Sequence, residues 1–165
     1  MEALDLLLRL IGAFYVFAGY FATKVTLTAA FADQARAAIE NVPPARIPRQ
    51  KALYLLVTST LVLVGGLMLF LLIAGAQWVF LASAVWQFAY LNHFAPRYFD
   101  KEDAPTNAGR QQNLNAFFIY CAATAIVLLC AKRLLPLDQH APFLLSVTGI
   151  LVAAHVLYVV SAFRR

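Results

Sequence analysis

From Leu53 to Ala74 no residue carries a charge, and a run that long and that apolar has few places to fold. As a helix rising 1.5 Å per residue it is about 33 Å long, enough to cross the roughly 30 Å hydrocarbon core of a bilayer. Four further windows of similar character follow the same pattern, so spans are expected at about 3–22, 52–74, 77–94, 115–131 and 142–163. Backbone amides in lipid must be satisfied within the segment, and these continuous runs lack the alternation of a barrel strand, so all five should be helices. Composition agrees. Of 165 residues, 62% are hydrophobic and 13% charged, against about half and about a quarter in soluble domains. That balance excludes a soluble globule, a disordered chain and a disulfide scaffold. A net charge of +5 does not make so apolar a chain a nucleic-acid binder, because its basic residues lie at the ends of spans. The expected fold is an all-α polytopic membrane bundle, a single domain over 1–165, dissolved in the lipid bilayer.

Lysine and arginine set the orientation. The segments 24–51 and 95–112 and the C-terminus hold ten of the thirteen basic residues, leaving Arg9, Lys132 and Arg133 for the other side. Five crossings then put the N-terminus outside and the C-terminus in the cytoplasm. Gly75 and Ala76 alone separate the second and third windows, so those helices should form an antiparallel hairpin. After the first span, Leu27, Phe31, Ala35, Ala38 and Ile39 recur at helical spacing opposite Asp33, Arg36 and Glu40. They predict a short amphipathic helix, on the headgroups or continuing the first span outward, which the prolines at 43, 44 and 48 end. The acids Asp100, Glu102 and Asp103 lack calcium-loop spacing and read as a hydrated turn with local Arg and Lys pairing.

Polar residues inside spans are the candidate functional groups, since lipid penalises them unless they face a partner. Ser83, Gln87 and Tyr90, flanked by Trp86 and His93, form one stripe on the third helix; Thr148, His155 and Tyr158 form one on the fifth; Tyr120 and Thr124 share a face of the fourth. Together they suggest a polar seam among helices three, four and five, with Gln87, Tyr90, His93, His155 and Tyr158 as candidate ligand-binding residues. Interhelical hydrogen bonding is the first reading of that seam. A quinone or lipid-like ligand held by His and Tyr donors is the second, and a bis-His haem the least favoured. Arg9 lies one turn after Asp5, placing an ion pair within reach. Gly12 and Gly19, with Ala22 beyond, offer a close-approach stripe, and Gly65 and Gly66 do so on the second helix. Cys121 and Cys130 fall on opposite helix faces, and His140 reads as a solvated turn residue. No catalytic or metal-binding constellation is recognisable.

The run Leu6 to Gly19, with its Arg9, Gly12 and Gly19, resembles the opening helix of the DoxX-like bacterial membrane proteins, whose founding members are membrane subunits of a thiosulfate:quinone oxidoreductase. The resemblance covers the first helix. It implies a small helical bundle of the bacterial inner membrane. With so apolar a chain, short exterior loops, a modest polar seam and no catalytic set, the expected role is a non-catalytic or accessory subunit beside another membrane protein. The runner-up is a quinone-interacting subunit of an oxidoreductase, and a small transporter comes third, because no charge sits at mid-membrane.

Overall fold

The computed structural model describes residues 2–41, 46–100, 106–140 and 142–164. Five α-helices follow in order: α1 (Ala3–Ile39), α2 (Arg46–Phe70), α3 (Ala76–Ala89), α4 (Asn107–Leu129) and α5 (Pro142–Arg164). The segments Ala3–Ile39, Pro48–Phe70, Asn107–Leu129 and Pro142–Phe163 are each long and apolar enough to cross a membrane. The remaining expected span is not one α-helix. Its 14-residue α3 passes directly into a π-helix, Tyr90–Phe99, which contains Pro96. Proline cannot donate to the carbonyl one turn back, and the wider winding accommodates that loss.

The α1 boundary also differs from expectation. At 37 residues α1 is about 55 Å long, so the amphipathic stretch is the same rod extended. Neither glycine nor proline interrupts Ala22 to Ile39, and an Arg36–Glu40 ion pair of 2.9 Å closes the last turn. The proline run falls partly outside the described residues, and Pro48 sits in the first turn of α2, where its missing amide has no intrahelical partner to lose. Of the second loop's acids, Asp100 pairs with Arg110 at 3.2 Å, whereas Glu102 and Asp103 lie outside the described residues.

The centre of the fold is the α1/α2 hairpin. Leu8, Gly12, Tyr15, Gly19, Thr23 and Leu27 are buried at steps of three or four along α1, the pattern of a narrow seam. Glycine lets the backbones meet there. A Cβ on Gly12 would lie 2.4 Å from the Phe70 amide nitrogen, one on Gly19 2.7 Å from that of Leu63, and one on Gly66 2.7 Å from that of Val16. Lower in the seam the Thr23 and Ser59 hydroxyls bond at 2.8 Å, each giving the other a partner where both are buried.

On one flank α3 and α4 pack through a buried aromatic trio. Phe80 stacks on Tyr120 with centroids 5.4 Å apart, and Tyr15 meets both rings edge-on at 5.4 and 5.0 Å. Helix α5 lies along a separate flank. There Ala162, with Val159 and Phe163 beside it, packs on Leu27 and Leu56, and the Arg49 guanidinium sits 5.3 Å from the Phe163 ring centre.

The two ends of the bundle differ. One gathers the C-terminal end of α1, the start of α2, the C-terminal part of α5 and the π-helix, whose Phe99 lies 6.3 Å from Tyr54 near the start of α2. The other is a backbone clasp. Helix α2 stops at Phe70, four residues before the expected limit, because reversal into α3 is built on Leu72 at φ 57° and Gly75 at φ 107°. Leu135 joins that turn, donating to the Leu72 carbonyl and accepting from the Ala74 amide, each at 2.7 Å. Glu2 pairs with Arg133 above it.

Arg9 belongs to this clasp. It donates to the Phe70 carbonyl at 3.0 Å rather than pairing with Asp5, since the last carbonyls of α2 lack intrahelical donors and carry the negative end of the helix dipole. Arg9→Met keeps the stem and removes the donor. It should lower stability by about 1–2 kcal/mol, with Arg9→Lys in between, read as a fall in melting temperature in mild detergent.

Candidate ligand groove

Between α1, α2 and α5 the fold leaves a groove of about 350 Å³, walled by Val16, Phe17 and Tyr20 of α1, Leu63 and Leu67 of α2, and Leu151, His155 and Tyr158 of α5. Its origin is the uneven attachment of α5. The C-terminal third of that helix is seated on Leu27 and Leu56, while Phe143 and Ile150 nearer its start are 74% and 67% exposed. Gly149 has no neighbour within 4 Å of where a Cβ would stand. The wedge that results is apolar on its floor and opens sideways, with Phe17, Leu151 and Tyr158 each more than half exposed.

Polar groups enter the wedge from two walls, Tyr20 on α1 and His155 with Tyr158 on α5. His155 and Tyr158 are three apart on α5 and so share a face. The His155 Nε2 lies 3.4 Å from the Thr60 hydroxyl of α2, which ties the α5 wall to the hairpin. An apolar slot of roughly this size with a few convergent hydrogen-bonding groups is the form of a small-ligand site.

The expected seam among helices three, four and five is not assembled. Helix α5 packs against α1 and α2, away from α3 and α4, so the five candidates fall into four places. Gln87 donates to Ser83 at 3.2 Å within α3. Tyr90 joins an aromatic cluster on Tyr54, which also stacks on Trp86 at 4.4 Å and meets Phe94 at 4.8 Å. His93 is exposed on the π-helix, beside Phe94 and Tyr98. Only His155 and Tyr158 line the groove. The separate surroundings of His93 and His155 remove the bis-His haem geometry. The physical reason is non-local: spacing along a helix tells which residues share a face, not which neighbour that face meets.

Sequence reasoning missed Thr60, Tyr20 and Tyr54. Thr60 had a signal, the Thr58-Ser59-Thr60 triplet inside the charge-free run 53–74. Arg9, Gly12 and Gly19 lie in the clasp and the α1/α2 seam, away from the groove walls. Cys121 and Cys130 are both free thiols. His140 departs from the solvated reading, its Nε2 being shielded from solvent without a hydrogen-bond partner. Among the described residues no group of three or more His, Cys, Asp or Glu could hold a metal ion. Comparison with family models, with curated proteins and with solved structures gives no match.

Proposed function

We propose that this chain is a small inner-membrane protein of DoxX-like type, an accessory subunit of a membrane complex, whose contribution is to hold a quinone-class ligand in the α1/α2/α5 groove. The groove is the observation that carries this reading. A lipid-soluble ring needs an apolar slot, a sideways opening to the membrane and donors for its oxygens; the leucine and valine floor, the exposed rim and the His155/Tyr158 wall supply these in turn. Counted from Pro142 at 1.5 Å per residue, Leu151 to Tyr158 occupies about 14–24 Å of the helix, inside a hydrocarbon core of about 30 Å. In this reading α3 with its π-helical extension makes the fifth crossing. The N-terminus is outside and the C-terminus cytoplasmic, which agrees with the gathering of the basic segments at one end of the bundle.

Three measurements test it. Purified protein in mild detergent should yield quinone on solvent extraction and bind a short-chain benzoquinone saturably. Leu67→Trp, which fills the floor, should abolish that binding, and His155→Ala should weaken it about tenfold, the equivalent of one lost hydrogen bond and some packing. Absence of saturable binding by the wild-type protein defeats the proposal. A C-terminal reporter active only in the cytoplasm should be active, and a mild-detergent pull-down should retain a stoichiometric membrane partner.

A further inference from the structure

The hydrogen-bonding groups of the groove are gathered at one of its ends. Contacts across the α1/α2 hairpin set the levels. A Gly66 Cβ would stand 2.7 Å from the Val16 amide nitrogen, so Val16 and Leu67 share a level. A Gly19 Cβ would meet the Ser59 carbonyl oxygen at 2.8 Å, and Thr23 bonds to Ser59, so Tyr20 and Thr60 lie at the next level, farther from the clasp. Thr60 faces His155 at 3.4 Å, which brings α5 into the same scale. At 1.5 Å per residue Leu151 stands about 6 Å from His155 on the clasp side, and Tyr158 about 4.5 Å on the other. Val16, Leu67 and Leu151 therefore surround one end of the groove, and Tyr20, His155 and Tyr158 the other. The ends also differ in closure. Just past Tyr158, Ala162 with Val159 and Phe163 seats α5 on Leu27 and Leu56 and closes the gap between α5 and the hairpin. On the clasp side, Leu144 and Val147 continue the Leu151 face of α5 and are exposed.

We propose that the groove consists of two subsites that fix the direction of a ligand with one polar ring and one isoprenoid chain. Tyr20, His155 and Tyr158 form the ring subsite at the closed end; Val16, Leu67 and Leu151 form the chain subsite, through which the first isoprenoid unit leaves towards the clasp. This direction rests on the groove reading above. The reverse placement sets the ring oxygens among hydrocarbon side chains, where they lose hydrogen-bonding partners, and drives the chain against the Ala162 seat. Leu151 is then a specificity-determining residue for the chain, and Tyr158 one for the ring.

Photolabelling of the wild-type protein in mild detergent reads the direction. Of two short-chain benzoquinones, one carries a diazirine on the ring and the other a diazirine at the start of the chain. The ring probe should label Tyr20, His155 or Tyr158, the chain probe Val16, Leu67 or Leu151, and excess unlabelled short-chain benzoquinone should suppress both. Titration of two variants reads the specificity. Tyr158→Phe should weaken a short-chain benzoquinone and the chain-free tetramethylbenzoquinone alike, by about fivefold, as for one hydrogen bond. Leu151→Trp, at a residue already half exposed, should weaken the chain-bearing ligand about tenfold and the chain-free one less than about twofold. Interchanged or mixed labelling, or a Leu151→Trp effect that does not separate the two ligands, overturns the inference alone. Absence of suppressible labelling by either probe overturns it together with the groove reading.

Discussion

Gly12→Ala should unfold this protein at a markedly lower temperature than wild type, while Gly149→Ala should leave the melt unchanged or slightly raised. The added methyl is the same; what it meets differs. At Gly12 the Cβ would stand 2.4 Å from the Phe70 amide nitrogen and 2.8 Å from the Gly66 carbonyl oxygen. Both are backbone atoms, so no rotamer change relieves the overlap and the helices must separate. Separation weakens the 3.0 Å Arg9 bond to Phe70 and the 2.8 Å Thr23–Ser59 bond further down the same seam. A loss of about 3 kcal/mol is expected, on the order of 10 °C for a chain of this size. At Gly149 nothing lies within 4 Å, and alanine favours helix over glycine by up to about 1 kcal/mol. Because Gly12 and Gly66 press on one another, the double alanine variant should lose less than the sum of the two singles. A Gly12→Ala melt within a degree of wild type would mean that the α1/α2 seam is not the structural centre described here.

Helix existence was open to reading from the chain, whereas helix ends and neighbours were not. The charge-free windows identify where apolar rods lie, because apolar surroundings leave a backbone no alternative to internal hydrogen bonding. They do not mark where a rod stops. Hydropathy falls after Ala22, yet α1 winds on to Ile39, since Ala, Thr and Phe there continue a helix as readily in water as in lipid. The early end of α2 depends on Leu72 adopting φ 57°, a conformation costing a non-glycine residue about 1 kcal/mol or more. The Leu135 backbone, more than sixty residues away, supplies the compensating bonds. The candidate site was legible by half for the same reason. That His155 and Tyr158 share a face follows from a spacing of three. That they meet Thr60 and Leu63 rather than Tyr90 and Gln87 follows from Ala162 seating on Leu27 and Leu56, a contact with no local signature.

The same partition predicts a large effect on the opposite flank. Phe80 is fully buried, with its ring edge 3.2 Å from where a Gly65 Cβ would stand; the side-chain-free backbone at Gly65 is what admits it. It stacks on Tyr120 and meets Tyr15 edge-on, both with centroids 5.4 Å apart. Its ring touches residues of α1, α2 and α4, so removing it takes dispersion and quadrupole contacts from three helices at once. Phe80→Ala should therefore lower stability by about 3–4 kcal/mol, Phe80→Leu by about a third of that, and Phe143→Ala, at a ring 74% exposed, by nothing measurable. The loss should be selective. The α5 flank rests on Leu27, Leu56 and Ala162, none of which Phe80 supports, so a Phe80→Leu protein that remains folded should bind a short-chain benzoquinone with wild-type affinity. Coincident loss of stability and of binding in Phe80→Leu would show that the two flanks of the hairpin are one cooperative unit, contrary to the separation argued from their packing.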